Sequence, residues 1–125
     1  MKLILGGAHQ GKLDYARKRY GPDLSVFQGD ETRPEIDFSR DILNALHLTV
    51  LAQLRSGVET AEYLESNLKY FEAKIVICDD ISSGIVPVDP EMRLWRETVG
   101  RALLFLSDRA EEVVRMFCGI GSRLK

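Results

Sequence analysis

The chain has 125 residues, of which 45% are hydrophobic and 29% charged, and its formal net charge is -2. These values predict one globular domain over residues 1–125 and exclude a mostly disordered chain. No apolar run approaches the roughly 20 residues that cross a bilayer, and the apolar segment after Met1 is too short for a secretory signal. The interspersed acidic and basic residues argue against a nucleic-acid partner. Cys78 and Cys118 each end an apolar run, which predicts two buried, free thiols in a reducing, cytoplasmic compartment.

Strand and helix patterns alternate along the first part of the chain. The apolar run 2–5 predicts a buried strand, and a helix over 12–20 follows it, ended by Gly21-Pro22. A second strand is predicted over 24–27, before the polar loop 29–34. From Ser39, apolar residues recur at spacings of three and four, which predicts a helix that ends at Gly57. The same spacing from Ala61 to Phe71 predicts another helix.

The second part of the chain continues the alternation. The nearly uninterrupted apolar run 74–78 predicts a strand that is covered on both faces, as in a parallel sheet. A long helix is predicted over 94–110, a strand over 113–118, and a last edge strand over 122–125. Strands separated by helices predict an α/β fold: a mostly parallel sheet flanked by helices, with a short C-terminal edge strand.

A phosphate-binding motif lies between the first strand and the first helix. Its residues fit the P-loop pattern GxxxxGK in the strand–loop–helix context that the motif requires, and they predict a nucleotide hydrolase-like P-loop fold. Glycines let backbone N–H groups turn toward phosphate oxygens, the helix N-terminus adds partial positive charge, and Lys12 adds a full charge. The alternative is a glycine-rich turn with a solvated lysine. The predicted nucleotide-binding residues are Gly6, Gly7, Ala8, His9, Gln10, Gly11, Lys12 and Leu13.

Three further positions bear on the chemistry of this loop. Leu13 stands where P-loops carry Ser or Thr, whose hydroxyl holds Mg²⁺. Either the metal is held by other residues, or the loop binds phosphate without efficient phosphoryl transfer. Asp79 and Asp80 follow a buried strand, where P-loop enzymes place a magnesium-directed carboxylate, and we take both as candidate Mg²⁺ ligands. A helix cap or turn is the alternative role. Lys12 and Asp80 are the candidate catalytic residues.

Four segments together resemble one known family. They are Gly6 to Lys12; Ser83-Gly84-Ile85-Val86-Pro87; Arg93 to Glu97 with Gly100-Arg101; and Cys118-Gly119-Ile120-Gly121 near the terminal Lys125. In order and placement they resemble adenosylcobinamide kinase / adenosylcobinamide-phosphate guanylyltransferase. The second and fourth segments are more specific than the P-loop, which many families share.

The resemblance implies a transferase of cobalamin biosynthesis that binds ATP or GTP, phosphorylates cobinamide and forms a homo-oligomer. It places Asp80 at the family's acidic position before the Gly-Ile-Val-Pro segment. Family members also transfer GMP through a histidine, but Phe27 to Phe71 replaces the segment that carries this nucleophile.

His47 is the only histidine in that replacement segment, so it is the candidate nucleophile. Its position at the border of an apolar helix stripe favours a packed, hydrogen-bonded role instead. Leu103 and Leu104 occupy polar positions of the family's last helix. These departures indicate that guanylyl transfer is lost. The alternative function is a catalytically weak nucleotide-binding protein, or a regulatory or structural subunit.

Overall fold

Residues 1–81 and 85–125, the part of the chain that the computed structural model describes, form six strands and five helices. Ser83 and Gly84, which open the Ser-Gly-Ile-Val-Pro motif, lie outside the described residues. In chain order the elements are β1 (Lys2–Gly6), α1 (Lys12–Tyr20), β2 (Val26–Gln28), β3 (Ile42–Asn44), α2 (Leu46–Ser56), α3 (Thr60–Ser66), α4 (Leu68–Phe71), β4 (Ile75–Asp79), α5 (Pro90–Arg109), β5 (Glu112–Phe117) and β6 (Ile120–Arg123).

The strands form one sheet in the order β2-β3-β4-β1-β5-β6. The first five are parallel, and β6 is antiparallel to β5. Parallel neighbours need crossover connections, and helices supply them between β1 and β2, β3 and β4, and β4 and β5. The predicted α/β architecture, a mostly parallel sheet with a short C-terminal edge strand, is therefore confirmed.

The core lies on both faces of the sheet because successive strand side chains point to opposite sides. Leu3, Val76 and Val113 belong to the larger apolar cluster, which includes residues of α2, α3 and α5. Their strand neighbours Ile4, Ile77 and Val114 belong to the second cluster, which includes Ala16 of α1. A sheet covered on both faces explains why the run at β4 shows no polar alternation.

The prediction that a helix begins at Ser39 is wrong. Ile42 to Asn44 form β3, which pairs in parallel with β2 and β4, and the helix begins only at Leu46. Ile42 and Leu43 fit a helical stripe, but a short apolar run also fits a buried strand, and pairing inside the sheet decides between them. The predicted end of this helix at Gly57 is confirmed, since Gly57 caps α2 in the left-handed conformation.

Two other expectations need correction. The helix predicted from Ala61 to Phe71 is divided at Asn67 into α3 and α4. Cys118 is exposed rather than buried, because it lies in the turn between β5 and β6 with φ 50°. Cys78 is buried as expected, and both thiols are free. No helix formed by residues 1–81 and 85–125 combines the length and apolar character that a membrane crossing needs.

Candidate functional site

The glycine-rich loop, residues 7–11, connects β1 to α1 at the carboxyl edge of the sheet. Gly6 ends β1 with φ 156°, and a Cβ atom there would lie 2.6 Å from the backbone oxygen of Met116. Only glycine permits this close approach of β1 to β5. The sequence pattern correctly located a strand–loop–helix unit here, because each part of it is local.

Two residues of the glycine-rich loop have positive φ angles. His9 has φ 58° and Gly11 has φ 80°, so two residues of the loop adopt the left-handed conformation. Turns that include this conformation form concavities lined by N–H groups, which attract anions. Gly11 is the N-cap of α1 and has no side chain to cap the helix, so the partial positive charge of the helix N-terminus is available to a ligand.

Gln10 anchors the loop to the turn between β5 and β6. The N–H of Cys118 donates to the side-chain oxygen of Gln10, and the N–H of Gly119 donates to the Gln10 carbonyl at 3.2 Å. The sequence held no signal for this contact, since the partners are 108 residues apart and meet only because β1 and β5 are neighbours.

Lys12 is buried and paired with Asp79. Its ammonium nitrogen lies 2.7 Å from Asp79 Oδ1 and donates to the carbonyl of Gly7 at 2.6 Å. Only 7% of the lysine side chain is exposed, against 22% for the aspartate. The pair forms because the register of β1 and β4 places Gly6 opposite Asp79. A buried lysine with a carboxylate partner is unlike the solvated lysine that was the alternative interpretation of the motif.

His47 of α2 contacts the same aspartate. Its Nδ1 accepts a hydrogen bond from the backbone N–H of Asp79 at 3.1 Å, and its Nε2 lies 3.4 Å from Asp79 Oδ2. Burial lowers the pKa of His47; Asp79 acts in the opposite direction and Lys12 adds to the lowering. The neutral ring with Nδ1 as acceptor carries its proton on Nε2, the nitrogen that lies 3.4 Å from the Asp79 carboxylate. The packed, hydrogen-bonded histidine that the helix stripe favoured is therefore confirmed.

Trp95 of α5 supports this arrangement from the other side. Its indole N–H donates to the backbone carbonyl of His47 at 2.7 Å, and the two rings lie 6.3 Å apart. The helix that carries His47 is thus tied to α5 at the residue that contacts Asp79.

A cavity of about 430 Å³ lies over the glycine-rich loop. The described residues that line it include the predicted residues from Ala8 to Leu13, together with His47 and Asp79. They also include Gln28 and Asn44, at the carboxyl ends of β2 and β3, which sequence analysis missed. The amide N–H of Asn44 donates to the side-chain oxygen of Gln28 at 2.7 Å. A polar residue at the end of a parallel strand is a sequence signal for such a site. Asn44 was not recognised by this signal because the segment that forms β3 was predicted to be helical.

Asp80 lies away from this cavity. Its backbone N–H donates to the Gly6 carbonyl at 2.8 Å, and it lines another cavity of about 760 Å³ with Leu5 and with residues of α5 and the C-terminal segment. Asp79 and Asp80 separate because successive residues of an extended chain point to opposite faces. The structure thus brings Lys12, His47 and Asp79 together and does not bring Asp80 to them.

One ligand of a P-loop magnesium site, the hydroxyl that follows the lysine, is replaced here. Leu13 has no hydroxyl, and the two oxygens of Asp79 already contact the Lys12 ammonium and the Nε2 side of His47. Across residues 1–81 and 85–125, no three His, Cys, Asp or Glu side chains are grouped so that they could hold a metal ion. A divalent cation at Asp79 would lie against the positive charge of Lys12, which opposes its binding.

Comparison with known proteins adds no family assignment. The chain matches no protein-family model, and no curated protein matches it significantly.

Proposed function

We propose that this protein binds the phosphates of ATP or GTP at the glycine-rich loop, and that it is a diverged relative of adenosylcobinamide kinase. The observation that carries the proposal is Lys12, which lines the loop cavity with only 7% of its side chain exposed. An ammonium group in that position, next to loop N–H groups and a helix N-terminus, has the chemistry of a phosphate site.

The kinase reaction is supported by the same geometry. Phosphoryl transfer requires positioning and charge stabilisation more than covalent chemistry by the protein. The acceptor hydroxyl oxygen of cobinamide would bond to the γ-phosphorus while the bond to the leaving nucleoside diphosphate breaks, and the hydroxyl proton would pass to water. Lys12 would stabilise the charge on the transferring group, and Asp79 lies where it keeps the lysine in place. Cobinamide as acceptor rests on the sequence resemblance alone.

Guanylyl transfer through His47 is excluded from the proposal. A nucleophilic histidine needs a free nitrogen lone pair that faces the α-phosphorus. The lone pair on Nδ1 accepts the N–H of Asp79, and the other nitrogen carries the proton next to the Asp79 carboxylate. His47 in this position orients Asp79 rather than attacking a nucleotide.

A second candidate is a nucleotide-binding protein without catalysis, which Leu13 favours. A P-loop that lacks the metal-directed hydroxyl retains its phosphate-binding N–H groups and lysine but loses one means of orienting the reacting phosphate. This protein would respond to nucleotide or carry it within a larger assembly, and the expected homo-oligomer would suit that role.

Calorimetric titration with ATP and GTP tests the binding that both candidates share. Lys12→Ala is expected to weaken binding about 10- to 150-fold, since a charged hydrogen bond to phosphate is lost. Lys18→Ala is the matched control, because Lys18 is an exposed lysine of the same helix. Equal affinity of Lys12→Ala and the wild type would refute the phosphate site.

A product assay separates the two candidates. The protein is incubated with adenosylcobinamide and ATP or GTP, and mass spectrometry is used to detect phosphorylated cobinamide. Product that disappears in Lys12→Ala supports the kinase. Tight nucleotide binding without product supports the binding protein.

A further inference from the structure

We propose that the glycine-rich loop binds its phosphate ligand as a metal-free anion, and that Asp79 is the counter-ion of Lys12 rather than a magnesium ligand. This inference rests on the proposed nucleotide binding and specifies the form of the ligand. It departs from the usual P-loop arrangement, in which the ligand enters with Mg²⁺.

The contacts of Asp79 are the first argument. Oδ1 lies 2.7 Å from the Lys12 ammonium, and Oδ2 lies 3.4 Å from His47 Nε2, the protonated nitrogen. The backbone N–H of Asp79 is bound by the same imidazole. The carboxylate is thus paired with the Lys12 ammonium, and a magnesium ion that bound it would lie against this positive charge. Mg²⁺ also demands near-ideal octahedral coordination, and the Lys12 ammonium occupies part of the space around Oδ1 that the ion would need.

Leu13 is the second argument. It lines the cavity at the position of the metal-directed hydroxyl, and its partly buried side chain packs against the apolar cluster that includes Ala16. A packed leucine offers no ligand atom and excludes water from this part of the cavity wall. Mg²⁺ in nucleotide sites keeps several waters, so an apolar wall here is unfavourable to it.

The third argument concerns the part of the cavity wall that lies at the ends of β2 and β3. At the ends of these strands the cavity presents Gln28 and Asn44, which are neutral amides paired with each other. Amide N–H groups donate directly to phosphate oxygens and need no intervening cation. Together with the loop N–H groups and Lys12, they add donors to a cavity whose lining also includes the carboxylates of Asp14 and Asp79.

The phosphate and Asp79 then compete for Lys12. A ligand phosphate that reaches the ammonium meets a carboxylate already in contact with it, and the two anions repel each other. Removing the charge of Asp79 should therefore strengthen binding of the free anion. If Asp79 were a metal ligand, the same change would weaken binding, and only when magnesium is present. The sign of the effect distinguishes the two roles.

Calorimetry with ATP and with inorganic pyrophosphate, each in EDTA and in excess Mg²⁺, tests this inference. We expect the wild type to bind at least as tightly in EDTA as in Mg²⁺. We expect Asp79→Asn to bind at least about tenfold more tightly in EDTA, since removing a repelling charge near the phosphate removes an unfavourable interaction of roughly one tenfold step or more in affinity. Asp23→Asn is the control, because Asp23 is exposed beyond the far end of α1.

Each result decides the question. Tightening of wild-type binding by tenfold or more in Mg²⁺, lost in Asp79→Asn, would overturn the inference and leave the proposed function intact. Weaker binding of Asp79→Asn in EDTA would also overturn it. No binding of either ligand in either buffer would overturn both the inference and the proposed nucleotide site. The wild-type measurements stand even if Asp79→Asn does not fold.

Discussion

Replacing Gly29 with alanine is expected to destabilise the fold at the point where β2 and β3 converge on the candidate site. Gly29 is buried, and a Cβ atom there would lie 2.3 Å from the backbone oxygen of Ala45 and 2.9 Å from that of Asn44. Both obstacles are backbone atoms, so they cannot rotate away. The N–H of Gly29 also donates to the Asn44 carbonyl at 2.8 Å, and relief of the clash would stretch this bond.

The size of the effect follows from these contacts. Overpacking costs about 1–3 kcal/mol, and a weakened hydrogen bond adds about 1 kcal/mol. We therefore expect Gly29→Ala to lower the free energy of unfolding by about 2–4 kcal/mol, a large part of the roughly 5–15 kcal/mol of an ordinary domain. The corresponding loss in melting temperature is roughly 5–15 °C for a chain of this length.

Urea denaturation followed by circular dichroism measures this change, with Gly57→Ala as the matched control. Gly57 has φ 76°, but nothing lies within 4 Å of a Cβ atom built on it. Alanine at position 57 is therefore expected to lower the free energy of unfolding only by the cost of the left-handed backbone conformation, about 1–2 kcal/mol. A Gly29→Ala protein as stable as wild type, or no less stable than Gly57→Ala, would refute the argument from close approach. Gly29→Ala should also weaken nucleotide binding, because it displaces Gln28.

Three further predictions concern individual side chains. With α-labelled GTP and Mg²⁺ we expect no acid-labile, base-stable label on the protein; label that is lost in His47→Ala would contradict this. Iodoacetamide should modify the exposed Cys118 and spare Cys78, whose thiol pKa is raised by burial, so two adducts on native protein would be a contrary result. The pKa of Glu112 is lowered, mainly because the carboxylate accepts a hydrogen bond from Tyr20. Its stabilisation should be complete above the unfolded pKa of about 4.3 and lost as pH falls through the lower folded pKa. Glu112→Gln should therefore lose less stability in acid, and an unchanged pH dependence of urea midpoints would count against this.

The elements that could be predicted were those with a local signal. The strand before Gly6, the helix from Lys12 and the apolar strand before Asp79 each carry a pattern within a few residues, and the structure contains all three. The glycine-rich loop was located for the same reason. The helix assigned from Ser39 was wrong at Ile42 because a three-residue strand inside a sheet has too few residues to show its period.

Only part of the candidate site could be predicted from the sequence. Lys12 could be selected from its motif, but the two aspartates at the end of β4 could not be distinguished by type or spacing. The register of β1 against β4 places Asp79 opposite Gly6, while Asp80 belongs to another cavity. A strand directs neighbouring side chains to opposite faces, so one residue of register decides which carboxylate meets the lysine.

Local sequence was therefore sufficient for the alternation of strands and helices, the position of the glycine-rich loop and the lysine at its base. Those features depend on backbone propensities and on hydrophobic spacing over a few residues. The partners of that lysine depend on strand order and register, which are set by contacts between segments more than 30 residues apart in the chain. His47 reaches Asp79, and Gln28 reaches Asn44, only after the sheet has assembled. Tertiary packing decided these contacts because the interactions that fix them do not exist in the isolated segments.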